Sequence, residues 1–273
     1  MKKQRAFLKW AGGKYSLVDA IRQHLPEGEE LIEPFVGAGS VFLNTDYSSY
    51  RLSDINQDLI NMFNILKDDA SPFIVDARTL FTEHHNVKDK YLSIRKAFNA
   101  SHDVYERSLF FLYMNRHGYN GLCRYNKKGG YNVPFGSYKK PYFPQAELEF
   151  FSEKSQKATF VCESFEQSFA AAREGCVVYC DPPYAPLSAT ANFTTYSANG
   201  FGPGEQKKLG ELAVYTAHDK GVPVLISNHD TAQTRDWYQD ARLTVVKVKR
   251  TISRNVHGRN KVDELLALFS PRF

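Results

Sequence analysis

Asp181-Pro182-Pro183-Tyr184 follows Cys176-Val177-Val178-Tyr179-Cys180, an apolar β-branched and aromatic run that reads as a buried strand. An acid at the carboxyl end of such a strand stands where open α/β sheets bind ligands. The two prolines hold the backbone extended and donate no N–H, so the Pro182 carbonyl is expected to stay outside any helix or ladder. One carboxylate, one free carbonyl and one aromatic face result, a set that suits an exocyclic amine on a flat ring. The amine of adenine is a poor nucleophile because its lone pair is delocalised into the ring. Two acceptors on its two N–H groups localise that pair, while Tyr184 stacks on the base.

A second constellation lies upstream. Gly37-Ala38-Gly39 follows the short strand Leu31-Ile32, and Asp54 ends the next strand, Tyr50-Arg51-Leu52-Ser53. The glycines let a ligand approach the backbone, and an acid at that place can hydrogen-bond ribose hydroxyls. Phe42 occupies the third position of a G-x-G-x-x-G fingerprint, and no lysine follows the loop as in a P-loop. An acid for ribose and a glycine turn without a phosphate cradle fit S-adenosylmethionine (AdoMet) better than NAD or ATP. Lys14 offers a cation for its carboxylate, and Trp10 an apolar wall.

Charge supplies the third signal. Residues 1–14, 116–144 and 242–261 carry five, six and seven of the 35 basic residues, and none of the three holds an acid. Segregated positive charge is the footprint of a polyanion, most simply nucleic acid. Residues 116–144 add five tyrosines and two phenylalanines, and cation–aromatic mixing serves phosphate contact and base stacking together. An enzyme acting on a duplex base must extrude it and fill the gap. Tyr119 and Asn120, in a Gly118-Tyr119-Asn120-Gly121 turn, have the shape to enter the stack. Arg124 is placed to read a guanine edge through two hydrogen bonds, which contributes roughly 1–3 kcal/mol of discrimination.

Three kinds of element must position these residues. Leu17, Ile21 and Leu25 mark a helix that Pro26 ends, and Asn56 caps another carrying Leu59, Ile60, Phe63 and Leu66. From there the pattern is helical, with a start at Ser71-Pro72, an amphipathic stretch through Tyr91, Ile94 and Phe98, and a buried helix through Leu109–Met114. Lys127-Lys128-Gly129-Gly130 forms a hairpin turn. Strand–helix alternation resumes at Thr159–Cys162, continues at Val222–Ile226, and ends in antiparallel strands Leu243–Val248 and Val262–Phe269 around a basic loop. The expected architecture is an α/β mixed sheet in residues 1–56 and 145–273, interrupted by a helical and β-hairpin insertion at 57–144. The small polar run from Ala185 to Gly204 reads as a mobile loop able to close on substrate.

At 273 residues, 42% hydrophobic and 24% charged, the chain is of soluble globular type. No apolar run reaches bilayer-spanning length, and Ala6-Phe7-Leu8 is too short for a signal-peptide core, so a cytoplasmic protein is expected. Cys123, Cys162, Cys176 and Cys180 lack metal spacing, and the last three, in strand-like runs, are expected to be buried thiols. No metal site is expected.

Phe7-Leu8-Lys9-Trp10-Ala11-Gly12-Gly13-Lys14, Glu33-Pro34-Phe35-Val36-Gly37-Ala38-Gly39-Ser40, the Asn115–Tyr142 segment and Asp181-Pro182-Pro183-Tyr184, in that order, resemble the bacterial and phage DNA adenine methylase (Dam) family over nearly the whole chain. The resemblance implies a Rossmann-like AdoMet-dependent methyltransferase fold. It implies methyl transfer to adenine N6 within GATC in duplex DNA, by a monomer, with roles in DNA replication and mismatch repair. It places Trp10, Lys14, Glu33, Phe35, Gly37, Gly39, Asp54 and Asp181 at AdoMet, and Asp181, Pro182, Pro183 and Tyr184 around the flipped adenine. DNA contacts would come from Lys9, Tyr119, Asn120, Leu122, Arg124, Pro134 and Tyr138. In that family a basic residue often stands at the position of Ser137, which leaves flank preference and salt sensitivity open. Two rival readings remain: the same chemistry on adenine in RNA, and a non-catalytic DNA-binding protein with a methylase fold. A nicotinamide dehydrogenase is disfavoured by the missing third glycine.

Overall fold

The computed structural model describes residues 3–185, 200–248 and 262–271. Seven strands among them form one sheet: β1 (Glu30–Glu33), β2 (Ser49–Asp54), β3 (Ala158–Cys162), β4 (Cys176–Cys180), β5 (Val224–His229), β6 (Arg242–Val248) and β7 (Val262–Phe269), in the order β3-β2-β1-β4-β5-β7-β6. The first five strands run parallel to one another, and β7 lies antiparallel to both β5 and β6. The mixed sheet and antiparallel end expected from the sequence are both present.

Side chains on the central strands alternate between two cores. Leu31, Val177, Tyr179 and Leu225 enter one, and Ile32, Val178, Cys180 and Ile226 the other. Both faces are covered, which is why the strands read as unbroken apolar runs rather than alternating ones. On the first face lie α1 (Val18–His24), the start of α2 (Gln57–Thr79) and α5 (Gln145–Ser155). Aromatic rings weld this layer: Phe63 is 4.7 Å from Phe151 and 5.3 Å from Phe160, and Phe7 is 5.1 Å from Phe151. Truncating a fully buried ring of this kind costs about 3–5 kcal/mol. The second face is covered by α6 (Phe165–Ala170), α7 (Pro203–His218) and α8 (Ala232–Trp237).

The Asn56 side chain caps α2, accepting from Leu59 N–H at 3.2 Å. Asp69 then leaves helical geometry (φ −155°, ψ 89°), and Pro72 falls in the first turn of the resumed helix, where its missing N–H costs nothing. Asp69 therefore separates two helical segments within α2: the first begins in the sheet core, and the second has the start expected at Ser71-Pro72. After it come α3 (Lys88–Ala100), burying Tyr91, Ile94 and Phe98, and α4 (Val104–His117), buried without a break from Phe111 to His117. Asp58 joins these layers. It receives the Arg107 guanidinium at 2.8 Å and the Tyr125 hydroxyl at 2.7 Å.

Three sequence expectations change. The turn at Lys127–Gly130 is closed by Asn126 N–H to Gly130 carbonyl at 2.8 Å, but its arms pair only around the Tyr125–Tyr131 bridge, with Asn132 N–H on the Arg124 carbonyl at 3.1 Å, and do not extend into longer strands. Helix α5 carries Leu148 and Phe151 inward and was not visible as a separate element. Cys176 and Cys180 are buried, whereas Cys162, at the open end of β3, is half-exposed. Most of the closing loop expected at Ala185–Gly204 and the basic loop before β7 lie outside the described residues; Pro203 and Gly204 open α7.

Candidate functional site

The carboxyl ends of β1, β2 and β4 meet at one place, as the parallel topology requires. Asp181 leaves β4 there, and its Oδ1 pairs with Lys14 Nζ at 2.7 Å. Lys14 also donates to the Gly12 carbonyl at 2.6 Å and lies 4.3 Å from the centre of the Tyr184 ring. The lysine expected at the cofactor carboxylate therefore touches the Asp181–Tyr184 corner. Burial pushes the Asp181 carboxyl up, and Lys14 pulls it back down.

The corner is braced from behind. Gln206 on α7 donates to the Pro183 carbonyl at 2.7 Å, and Asn228 Oδ1 on β5 accepts from Ala185 N–H at 3.0 Å. Asn228 Nδ2 and the Tyr238 hydroxyl both donate to Gln206 Oε1 at 3.0 Å. All three side chains are fully buried, and a satisfied buried network of this kind fixes one geometry. The residues on either side of Tyr184 are held, while no described residue donates to the Pro182 carbonyl. Tyr184 itself donates to Glu264 Oε2 at 2.8 Å and packs edge-to-face on His229 at 4.8 Å.

The glycine turn lies beside this corner. Gly37 and Gly39 have φ of +47° and +73°, and a Cβ on Gly37 would come within 2.8 Å of the Trp10 indole nitrogen. Gly37 N–H donates to Asp54 Oδ2 at 3.2 Å, and Asn56 N–H to Oδ1 at 2.9 Å. That carboxylate is oriented yet keeps lone pairs for a further donor. Glu33 is buried, its Oε1 has no partner among the described residues, and burial together with the nearby Asp181 raises its carboxyl well above the ordinary range. A cationic ligand would reverse that shift. Phe42, in the third fingerprint position, is core, 4.9 Å from Tyr50, and begins a short 3-10 turn (Phe42–Asn44). Sequence reasoning named Phe35 but missed the aromatic neighbours that make a trio with it, Phe165 and Phe201, with Phe35 and Phe165 stacked at 5.6 Å. The capping box at Ser164 after β3 was the available signal for Phe165.

The recognition residues form a separate surface. Tyr119 is 44% exposed, and its N–H donates to the Pro134 carbonyl at 2.8 Å. Asn120 stands at φ +54° with its N–H on the Tyr138 hydroxyl at 3.0 Å, and Lys9 Nζ lies 3.7 Å from the centre of the Tyr138 ring. Lys9, Tyr119, Asn120, Pro134 and Tyr138 are thus one group. Leu122 joins it through its N–H, which donates to the Tyr119 carbonyl at 3.2 Å. Arg124 sits apart on the hairpin, exposed, with Nε on Asn132 Oδ1 at 2.7 Å. Behind Lys9 a cleft of about 380 Å³ is lined by Arg5, Lys9, Arg116, Trp10, Tyr15 and Tyr142 among others. Arg116 is 8% exposed and donates to the Tyr142 and Phe7 carbonyls, and Glu147, which lines the same cleft, offsets part of its charge.

Strand order 3-2-1-4-5-7-6 with the seventh strand reversed is the sheet of a Rossmann-like AdoMet-dependent methyltransferase. Residues 10–252 match the model of the D12 class N6 adenine-specific DNA methyltransferases, and the chain belongs to that family. It is 65% identical over 271 residues to the DNA adenine methylase of Vibrio cholerae serotype O1, covering 99% of this chain and 98% of that one. Identity is 64% over 269 residues to the DNA adenine methylase of Serratia marcescens (98% and 100% covered). It is 60% over 271 residues to that of Escherichia coli K12 (99% and 97% covered). Among the described residues no helix is long and apolar enough to cross a membrane, and no cluster of three His, Cys, Asp or Glu is placed to hold a metal.

Proposed function

We propose that the protein transfers the methyl group of AdoMet to N6 of adenine within GATC in duplex DNA, acting on a base flipped out of the helix. The observation that carries this reading is the braced Asp181–Tyr184 corner, with a carboxylate, a Pro182 carbonyl that no described residue engages, and an aromatic ring in one short segment. In this reading residues 57–144 form the target-recognition unit, and residues 1–56 with 145–273 the catalytic unit.

The residues present fit the cofactor. Asp54 and the Gly37–Gly39 turn would take its ribose end, Phe35 and Phe165 its adenine, and Trp10 its flank. Glu33, a buried carboxyl lacking a partner on one oxygen, calls for a cation, and AdoMet carries two positive groups. Bound AdoMet supplies an electrophilic methyl on a sulfonium. The protein does the rest. Asp181 and the Pro182 carbonyl accept the two N6 hydrogens and direct the nitrogen lone pair outward. Tyr184, fixed by Glu264, stacks on the adenine, and Lys14 must vacate the face of that ring as the base enters. A neutral aromatic amine is far too weak an acid to ionise first, so its proton leaves during or after attack. Positioning provides much of the acceleration.

For DNA, Tyr119 and Asn120 fill the vacated stack, Arg124 reads a guanine edge, and Lys9, Leu122, Pro134 and Tyr138 line the approach. Arg5, Lys9 and Arg116, grouped at one cleft, support a phosphate-rich partner. The test is transfer of labelled methyl to a duplex with one GATC and to a duplex with that site scrambled. Label confined to GATC is expected. Equal label on both removes the specificity, and label on neither, with transfer to a stem-loop RNA, moves the substrate to RNA.

A further inference from the structure

We propose that Asn115 is a positioning residue that couples target recognition to cofactor binding, an inference that rests on the function proposed above. Asn115 lies near the end of α4, 1% exposed, and brackets the main chain of Lys9. Its Oδ1 accepts Lys9 N–H at 2.9 Å, and its Nδ2 donates to the Lys9 carbonyl at 2.7 Å, across 106 residues of sequence. The same Nδ2 reaches the Gly121 carbonyl at 3.4 Å. One carboxamide therefore replaces a strand neighbour for the amino-terminal segment and also holds the turn that presents Tyr119 and Asn120.

The fit on both sides is tight. Gly121 has φ +62°, and any Cβ there would collide with the Lys9 side chain, so the turn rests directly on Lys9. Lys9 in turn packs on Tyr138, whose hydroxyl accepts Asn120 N–H. The next residue, Trp10, lies against Gly37 of the glycine turn, and Lys14 reaches Asp181. A shift of the Tyr119–Gly121 turn on meeting DNA must therefore move residues 9–10, and with them the Trp10 side of the cofactor pocket. A parallel tie runs from Cys123, just past the turn, where Asn56 Nδ2 meets its Sγ at 3.3 Å while Asn56 N–H holds Asp54. The turn is fastened to the cofactor half at both ends. Coupling between two ligands needs a shared element whose position both bias, and it is reciprocal.

The experiment measures binding of S-adenosylhomocysteine, the unreactive product, by calorimetry with and without a GATC duplex. It compares the wild type, Asn115→Ala, Asn115→Asp and the exposed-surface control Gln57→Ala. Wild type and Q57A are expected to bind the nucleoside about tenfold more tightly with DNA present, within the usual range of coupling. Asn115→Ala is expected to lose most of that ratio. Asn115→Asp, which keeps the acceptor for Lys9 N–H but not the donors, is expected to fall between. In steady state the Asn115→Ala variant should raise KM for AdoMet measured at saturating DNA more than it lowers kcat. A merely structural role would lower the melting temperature and leave the ratio intact, and that outcome overturns the proposal. A ratio of one in the wild type also overturns it. If Asn115→Ala does not fold, the Asn115→Asp ratio decides alone. Wild-type enzyme that methylates no duplex refutes the function proposed above and this inference together; wild-type enzyme that methylates GATC, with an unchanged ratio in the variants, refutes this inference only.

Discussion

The Asp181–Tyr184 corner and the Tyr119–Asn120 turn are both short irregular segments, yet the protein holds them in opposite ways. The corner is braced on its main chain by fully buried side chains, Gln206 and Asn228, at the ends of covered parallel strands. The turn has its backbone pinned, by Pro134, Tyr138 and Asn115, while the Tyr119 side chain stands 44% exposed. In the reading proposed above the chemistry must be preorganised to a fraction of an ångström, and the main chain there is held by a buried, hydrogen-bonded brace. Recognition must meet a partner whose bases are not yet in place, so only the platform is fixed.

The sharpest way to break this contrast is Asp181→Ala. Turnover is expected to fall by on the order of 10³-fold or more, while duplex affinity by fluorescence anisotropy stays within about threefold; near-normal turnover would sink the mechanism. Gln206→Ala comes next. Removing the donor to Pro183 and the acceptor for Asn228 and Tyr238 should lower kcat about 10- to 100-fold and leave KM for DNA unchanged. A change in KM alone would mean that the brace serves binding. Arg124→Ala should do the reverse, with kcat on GATC preserved. Discrimination against duplexes changed at one guanine should drop by roughly 1–3 kcal/mol, read from ratios of kcat/KM. Equal loss on every sequence would assign Arg124 to phosphate contact instead.

The smallest effect concerns the platform. His117 is buried on α4, stacked 4.1 Å from Tyr113, and its Nε2 has no hydrogen-bond partner among the described residues. Burial lowers its pKa to about 4. The unfolded chain then takes up this proton first as pH falls through the ordinary histidine value of about 6.5. Stability is unaffected above that pH and is lost between about 6.5 and 4, at up to about 1.4 kcal/mol per pH unit. Denaturant melts at pH 7.5, 6 and 5 should show the loss, and His117→Phe should flatten it. An unchanged slope in that variant would place the acid sensitivity elsewhere.

Much of this was legible locally. Cys176–Cys180 announced a covered strand, Asn56 its helix cap, Gly37 a turn that only a positive φ satisfies, and the double proline a carbonyl left outside the backbone bonding. Tyr125 and Tyr131 show where reading stopped. They carry the same composition signal as Tyr119 and Tyr142, but one ties Asp58 and the other fills the core. Residue type says that an aromatic ring is present, and only packing says which side of it meets water. The Gln206–Asn228–Tyr238 brace gave no signal at all, because amides and phenols on separate elements have no periodicity.

The sequence by itself determined the elements, their caps and turns, and the chemical types available at each strand end, since these follow from backbone sterics and from the spacing of apolar side chains. Tertiary structure alone decided that Lys14 meets Asp181, that Asn115 clasps Lys9, and that Phe35 faces Phe165. Those meetings depend on strand order and on how helices settle across a sheet. Both are fixed by the summed burial of many side chains, a quantity that no short stretch of residues contains.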